Sequence, residues 1–186
     1  MRIILVRHGK PDISQEELVL GKDFGNWIDQ YNAAELDLSL APSGELITVL
    51  KGSGIVVCST LKRSLDSAKT LEIKNYQSEA CFREAELPHF GVFSLRLRAK
   101  TWLIVFRILW MLGFSGKVES FANMKLRAKT CAMKLSQLAQ EHDSVVFIGH
   151  GFLNRSIAKS LMKSAWLELS SSKMGYWSFS VYEYKN

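Results

Sequence analysis

Apolar residues fall along this chain in two rhythms. Short unbroken runs, Ile3-Ile4-Leu5-Val6, Gly54–Ser59 (GIVVCS) and Ser144–Ile148 (SVVFI), read as strands buried on both faces. Longer stretches step by three and four. In Val118–His142, the residues Phe121, Met124, Ala128, Cys131, Leu135 and Leu138 share one face, which predicts a helix packed on a core. Thr60–Leu71 carries Leu61, Leu65, Ala68 and Leu71 near helical spacing, with Thr60 read as its N-cap, and Phe152–Lys163 reads as another helix. Pro42-Ser43-Gly44-Glu45 opens a short helix to about Lys51, because proline is tolerated in a first turn. Residues 76–82 suggest a further strand, and Tyr176–Tyr184 alternates aromatic and polar positions as an edge or final strand. Residues 10–41 are mixed and polar and read as a long excursion holding one helix.

Strands that alternate with helices predict an α/β fold, a three-layer α/β/α sandwich around a mostly parallel central sheet. At 186 residues one domain, spanning 1–186, is expected. In such sheets ligands gather beyond the carboxyl ends of the strands. Three strand ends therefore matter together: Arg7-His8-Gly9, Ser59 to Arg63, and Gly149-His150-Gly151. Their side chains suit a phosphoryl group. Arg7 and Arg63 can fork two donors onto phosphate oxygens and stay charged at any working pH. His8 and His150 can be neutral or cationic near neutrality. A neutral imidazole is a competent nucleophile when its other nitrogen is held by a backbone acceptor. Gly9 would let the backbone approach a ligand closely.

Composition narrows the class. A hydrophobic fraction of 47% and a charged fraction of 23% are those of a globular protein. The net charge of +6 permits an anionic partner. No interleaved aromatic and basic motif points to nucleic acid, so none is expected as a partner. Three scattered cysteines fit a reducing, cytoplasmic setting better than a disulfide framework. No CxxC or histidine cluster has metal-ligand spacing, so no metal or other cofactor is expected. The N-terminal apolar run is too short for a signal region. Cys58 precedes Arg63 by four intervening residues with no glycine to shape a phosphate loop, so it reads as a small hydrophobe rather than a nucleophile.

The three ordered motifs resemble the histidine phosphatase superfamily, also called phosphoglycerate-mutase-like. The N-terminal strand runs into Arg7-His8-Gly9. The second motif, Ser59-Thr60-Leu61-Lys62-Arg63-Ser64-Leu65-Asp66-Ser67-Ala68, is similar to the family's Ser-x-Leu-x-Arg-x-x-x-[ST]-Ala, and a late strand ends in Gly149-His150-Gly151. The resemblance implies a metal-independent phosphatase that hydrolyses a phosphomonoester, on a small molecule or a phosphoprotein, through a phosphohistidine on His8. Arg7, Arg63, His150 and Gly9 would hold the phosphate. It also implies a glutamate after the second helix and the strand that follows it. Phe82–Pro88 offers Glu84 and Glu86, of which Glu84 is favoured and Glu86 stays open. Two alternatives stand beside this reading: a cofactor-dependent phosphomutase and a non-catalytic member that binds phosphorylated ligands. Ser14 stands where many members carry an asparagine, which weighs against the mutase.

Residues 92–114 are unlike the rest. Trp102–Phe114 is apolar except for Arg107 and Gly113. It falls short of the ~20 apolar residues that cross a bilayer, so no transmembrane segment is expected. A helical cap insertion around 92–117 is expected instead, with Arg96, Lys100 and Arg107 near one azimuth. Through 101–114 it would meet the body, a second copy of the chain or a membrane surface. Glu119-Ser120 opens the long helix that follows, with Ser120 as its cap.

Overall fold

In the computed structural model, which describes residues 1–91 and 93–185, the chain forms eight strands and six α-helices in the order β1 (Arg2–Arg7), β2 (Leu18–Leu20), α1 (Phe24–Ala33), α2 (Gly44–Leu50), β3 (Ile55–Ser59), α3 (Lys62–Thr70), β4 (Gln77–Glu79), β5 (Arg96–Arg98), α4 (Ala99–Met111), α5 (Phe121–His142), β6 (Ser144–Gly149), α6 (Gly151–Met162), β7 (Trp166–Ser171) and β8 (Phe179–Tyr184). Six strands make one sheet in the order β4-β3-β6-β1-β8-β7. The first four run parallel; β8 is antiparallel to β1, and β7 is antiparallel to β8.

The uninterrupted apolar run of β1 follows from its central place. Ile4 lies between Val146 of β6 and Val181 of β8, and Ile3–Val6 are all buried. Successive side chains point to opposite faces. Ile3, Leu5, Val145 and Phe147 pack against α5 and α6. Ile4, Val6, Val146 and Ile148 pack with Leu46 of α2 and Ala68 of α3. This is the expected three-layer arrangement.

Several boundaries shift. α3 starts at Lys62, and Thr60 does not cap it. Its N-cap is Leu61, without a side-chain cap bond; Ser59 shapes the turn before it, its hydroxyl accepting the Leu61 N–H and its N–H donating to Ser64 Oγ. Ser120 does cap α5, accepting the Asn123 N–H. β8 is the final strand, as one of the two expectations had it, and is interior rather than an edge because β7 flanks it. β7 escapes the hydrophobic pattern because only Trp166 of its residues is buried.

The cap is larger than the expected insertion at 92–117. It has its own core, in which Phe24 and Trp27 of α1 pack with Ala99, Trp102 and Phe106 of α4. A two-stranded ribbon, β2 with β5, ties the two segments together. Residues 10–33 and 93–111 thus build one lid. Nor do its basic residues form a stripe: Arg96 lies in β5, Lys100 pairs with Glu16, and Arg107 turns toward the cavity below. No helix among the described residues is long and apolar enough to cross a membrane.

Candidate active site

The carboxyl ends of β1, β3 and β6 open into a cavity of about 690 Å³ roofed by the cap. Arg7, His8, Arg63 and Glu84 line it, and His150 lies buried at its inner end, its ring centroid 5.1 Å from that of His8. The three motif ends therefore converge.

His8 is held in one tautomer. Its Nδ1 donates to the Gly9 carbonyl at 2.7 Å, which leaves the Nε2 lone pair free. Arg63 Nε donates to that Nε2 at 3.2 Å. Burial, followed by the Arg63 charge, pushes the His8 pKa well below the ordinary value; the Gly9 bond opposes the shift and Arg7 adds to it. The imidazole is neutral at pH 7.

His150 is fully buried. Its Nε2 is 2.6 Å from Ser59 Oγ. In the tautomer in which the Ser59 hydroxyl donates to Nε2, the ring carries its proton on Nδ1. His150 Nδ1 and Arg7 Nε are buried without a partner. Two unsatisfied donors at one cavity end favour an acceptor there, because a buried unpaired donor costs about 1–3 kcal/mol. Burial, then Arg63, lowers the His150 pKa well below the ordinary value.

The arginines are braced. Arg63 Nη1 donates to Asn32 Oδ1 at 2.7 Å, and its guanidinium lies 5.1 Å from the Tyr31 ring centroid. Arg7 stacks on Tyr176 at 4.3 Å, and the Tyr176 hydroxyl accepts from Gln15.

Gly9 departs from expectation. It does not line the cavity, and its N–H donates to Ser67 Oγ at 2.8 Å. A Cβ there would sit 2.5 Å from the Trp177 ring, so the close approach that needs glycine is that of a core tryptophan. Gly9 serves the site through its carbonyl on His8.

Glu84 and Glu86 both line the cavity. Glu86 is exposed. Glu84 is anchored: its carboxylate accepts the N–H groups of Ala85, Phe152 and Leu153. The last two belong to the first turn of α6, whose N-cap, His150, makes no side-chain cap bond. Glu84 thus caps the helix that carries His150. Arg127 steadies the same segment, with two bonds to Glu119 and bonds to the carbonyls of Cys81 and Arg83. Cys58 is buried and its thiol is pushed up to about 12 by burial, consistent with a packing role.

Sequence reasoning missed the supports. Ser67 and Ser59 lie inside the second motif, each four residues from Arg63, and that placement is the signal that could have flagged them. Asn32, Tyr176 and Asn154, whose Oδ1 accepts the His150 N–H, come from segments without a motif.

A family model, the histidine phosphatase superfamily (branch 1), matches residues 37–186, and the chain belongs to that superfamily. No curated protein matches it. Among solved structures, the product of an open reading frame of Mycobacterium tuberculosis superposes with a TM-score of 0.65 at 18% identity, covering 99% of this chain and 91% of that one. A phosphoserine phosphatase from Entamoeba histolytica, solved with phosphoserine, gives 0.59 at 17% identity, with 97% and 89% covered. The alpha-ribazole phosphatase of Shigella flexneri gives 0.53 at 19% identity, with 82% and 75% covered. At these identities the likeness establishes the fold.

Proposed function

We propose that the protein hydrolyses a phosphomonoester without a metal ion, through a phosphohistidine on His8. The observation that carries this reading is the His8 ring: buried, neutral, its Nδ1 tied to a carbonyl and its Nε2 directed to a cationic cavity end. Solved relatives of similar fold are phosphatases, which supports the same class of reaction.

The chemistry follows from the donors. A phosphate seated at Arg7, Arg63 and His150 would take the Arg63 N–H from His8 Nε2 and satisfy Arg7 Nε and His150 Nδ1. The freed lone pair attacks phosphorus, forming an N–P bond as the ester P–O bond breaks. Charge on the equatorial oxygens is met by the two guanidiniums and the His150 N–H, placed before the reaction begins. Glu84 starts the cycle as a carboxylic acid and gives its proton to the leaving oxygen. A carboxylate has about four acceptor sites, and three are occupied here, which leaves one for that proton. Water then attacks the phosphohistidine, returns a proton to Glu84 and releases phosphate.

A second reading has one observation in its favour. Arg107 Nη1 is buried without a partner and, with Arg83 and Arg155, lines the outer cavity. A second anionic group on an acceptor could bind there, as transfer by a mutase requires. The test is hydrolysis of an aryl phosphate in EDTA. Wild type is expected to release phosphate and His8→Ala to lose at least about a thousandfold. Transfer to an added phosphorylated acceptor, with little phosphate release, would favour the mutase. Phosphate binding without turnover of any ester would favour the ligand-binding reading.

A further inference from the structure

A second cavity of about 890 Å³ lies on the far side of Phe152, between α5 and α6. Its floor is apolar, with Met111, Phe121, Phe152 and Trp166. Five cations line it, Lys125, Lys129, Arg155, Lys159 and Lys163, and no acidic residue does. None of the five has an ion-pair partner among the described residues, although the chain pairs many of its other surface lysines.

Beside it stands an apolar ridge. Ile104, Ile108 and Met111 follow one edge of α4 and are 60%, 47% and 42% exposed. The ridge continues through Leu112 and Phe114, 70% and 59% exposed, where Gly113 at φ +102° turns the chain. The ridge joins the two cavities, because Ile104 and Ile108 line the mouth of the phosphate cavity and Met111 lines the basic one.

We infer that this face docks on an anionic membrane surface. The apolar ridge enters the headgroup boundary, the lysines of α5 and α6 meet lipid phosphates, and the mouth of the phosphate cavity opens toward the lipid. An exposed row of apolar side chains, bordered by unpaired lysines, suits a fluid anionic interface. Lys125 already lays its chain across the Phe121 ring, its ammonium 4.6 Å from the centroid, in the manner of a snorkelling interfacial lysine. The inference stands apart from the chemistry at His8.

The test is co-sedimentation of the full chain with phosphatidylcholine vesicles, with and without phosphatidylserine. Wild type is expected to pellet with phosphatidylserine vesicles, to stay in solution with pure phosphatidylcholine, and to be released by high salt. Lys129→Glu/Lys159→Glu/Lys163→Glu should weaken binding by about a hundredfold or more. Leu112→Ser/Phe114→Ser should weaken it by about tenfold. Circular dichroism melts check that both variants fold, since all five side chains are at the surface. Failure of wild type to pellet, or pelleting of the lysine variant as wild type, would overturn the inference. So would a wild-type dimer in gel filtration that Leu112→Ser/Phe114→Ser dissociates, which would give the ridge to a second copy of the chain.

Discussion

The two ends of the phosphate cavity are built on different principles. At the inner end, the histidine that faces the phosphate position and the polar groups beneath it are fixed by backbone carbonyls: His8 by Gly9, Ser64 by Ile148, Asn154 by Val6. At the outer end, the cap is held by stacked aromatic rings. Phe106 packs on Phe24 at 5.0 Å and on Trp102 at 5.2 Å, in a core separate from the two that flank the sheet. Hydrogen bonds to backbone impose direction, which phosphoryl chemistry needs. Apolar packing imposes shape with less direction, which suits a roof that must admit and select a substrate.

Cutting into the cap should separate the two ends most visibly. Phe106 is fully buried, so Phe106→Ala should cost about 3–5 kcal/mol of packing. We expect hydrogen exchange to accelerate in α1 and α4 while β1 and β6 stay protected, with a raised KM and a nearly unchanged kcat on a small aryl phosphate. Uniform acceleration would show that cap and sheet are one cooperative unit.

A smaller effect sharpens the inner end. Glu84→Gln keeps an acceptor oxygen for the α6 N–H groups but cannot deliver a proton in the same way. It should lower kcat by about a hundredfold on an alkyl phosphate and by much less on a phosphate with a good leaving group. Glu86→Gln should leave both rates within a few-fold. A reversed pattern would move the acid to Glu86.

The smallest effect concerns pH. His8 and His150 have pKa values lowered in the folded state, chiefly by burial. Below about pH 6.5 the unfolded chain takes up protons that the folded chain does not, so stability falls as pH drops through that value. Each histidine contributes a slope of up to about 1.4 kcal/mol per pH unit, still present well below pH 6.5. Urea melts between pH 7.5 and 5 should show it, and His150→Gln should reduce the slope. Bound phosphate should reduce it as well, by stabilising the charged imidazoles.

The same contrast decides what could be read from the chain. The short apolar runs Ile3–Val6 and Val145–Ile148 announce doubly buried strands because each is brief and stops at a polar or glycine-containing motif, which then locates the inner site. The helical stripe of α5 was equally plain. The cap was half legible: its helix 99–111 shows as an apolar run, but its partner α1 contributes just Phe24 and Trp27 as buried residues, too few to mark a face. In the sequence Gly9 points to an approach of backbone to ligand, since a motif shows that glycine is needed and not which atom comes close; in the fold that atom belongs to Trp177. Glu84 showed as a carboxylate near the site, whereas its grip on α6 spans 68 residues of sequence and needs the fold to be seen.

The central claim is that His8 carries the phosphoryl group. Rapid acid-free quench during turnover of an aryl phosphate, followed by mass spectrometry of the peptide containing Arg7-His8-Gly9, measures it directly. The account predicts one phosphoryl group on His8, lost on mild acid treatment and longer-lived in Glu84→Gln with a good leaving group. Turnover with an unmodified His8 peptide, or turnover that persists in His8→Ala, would contradict it.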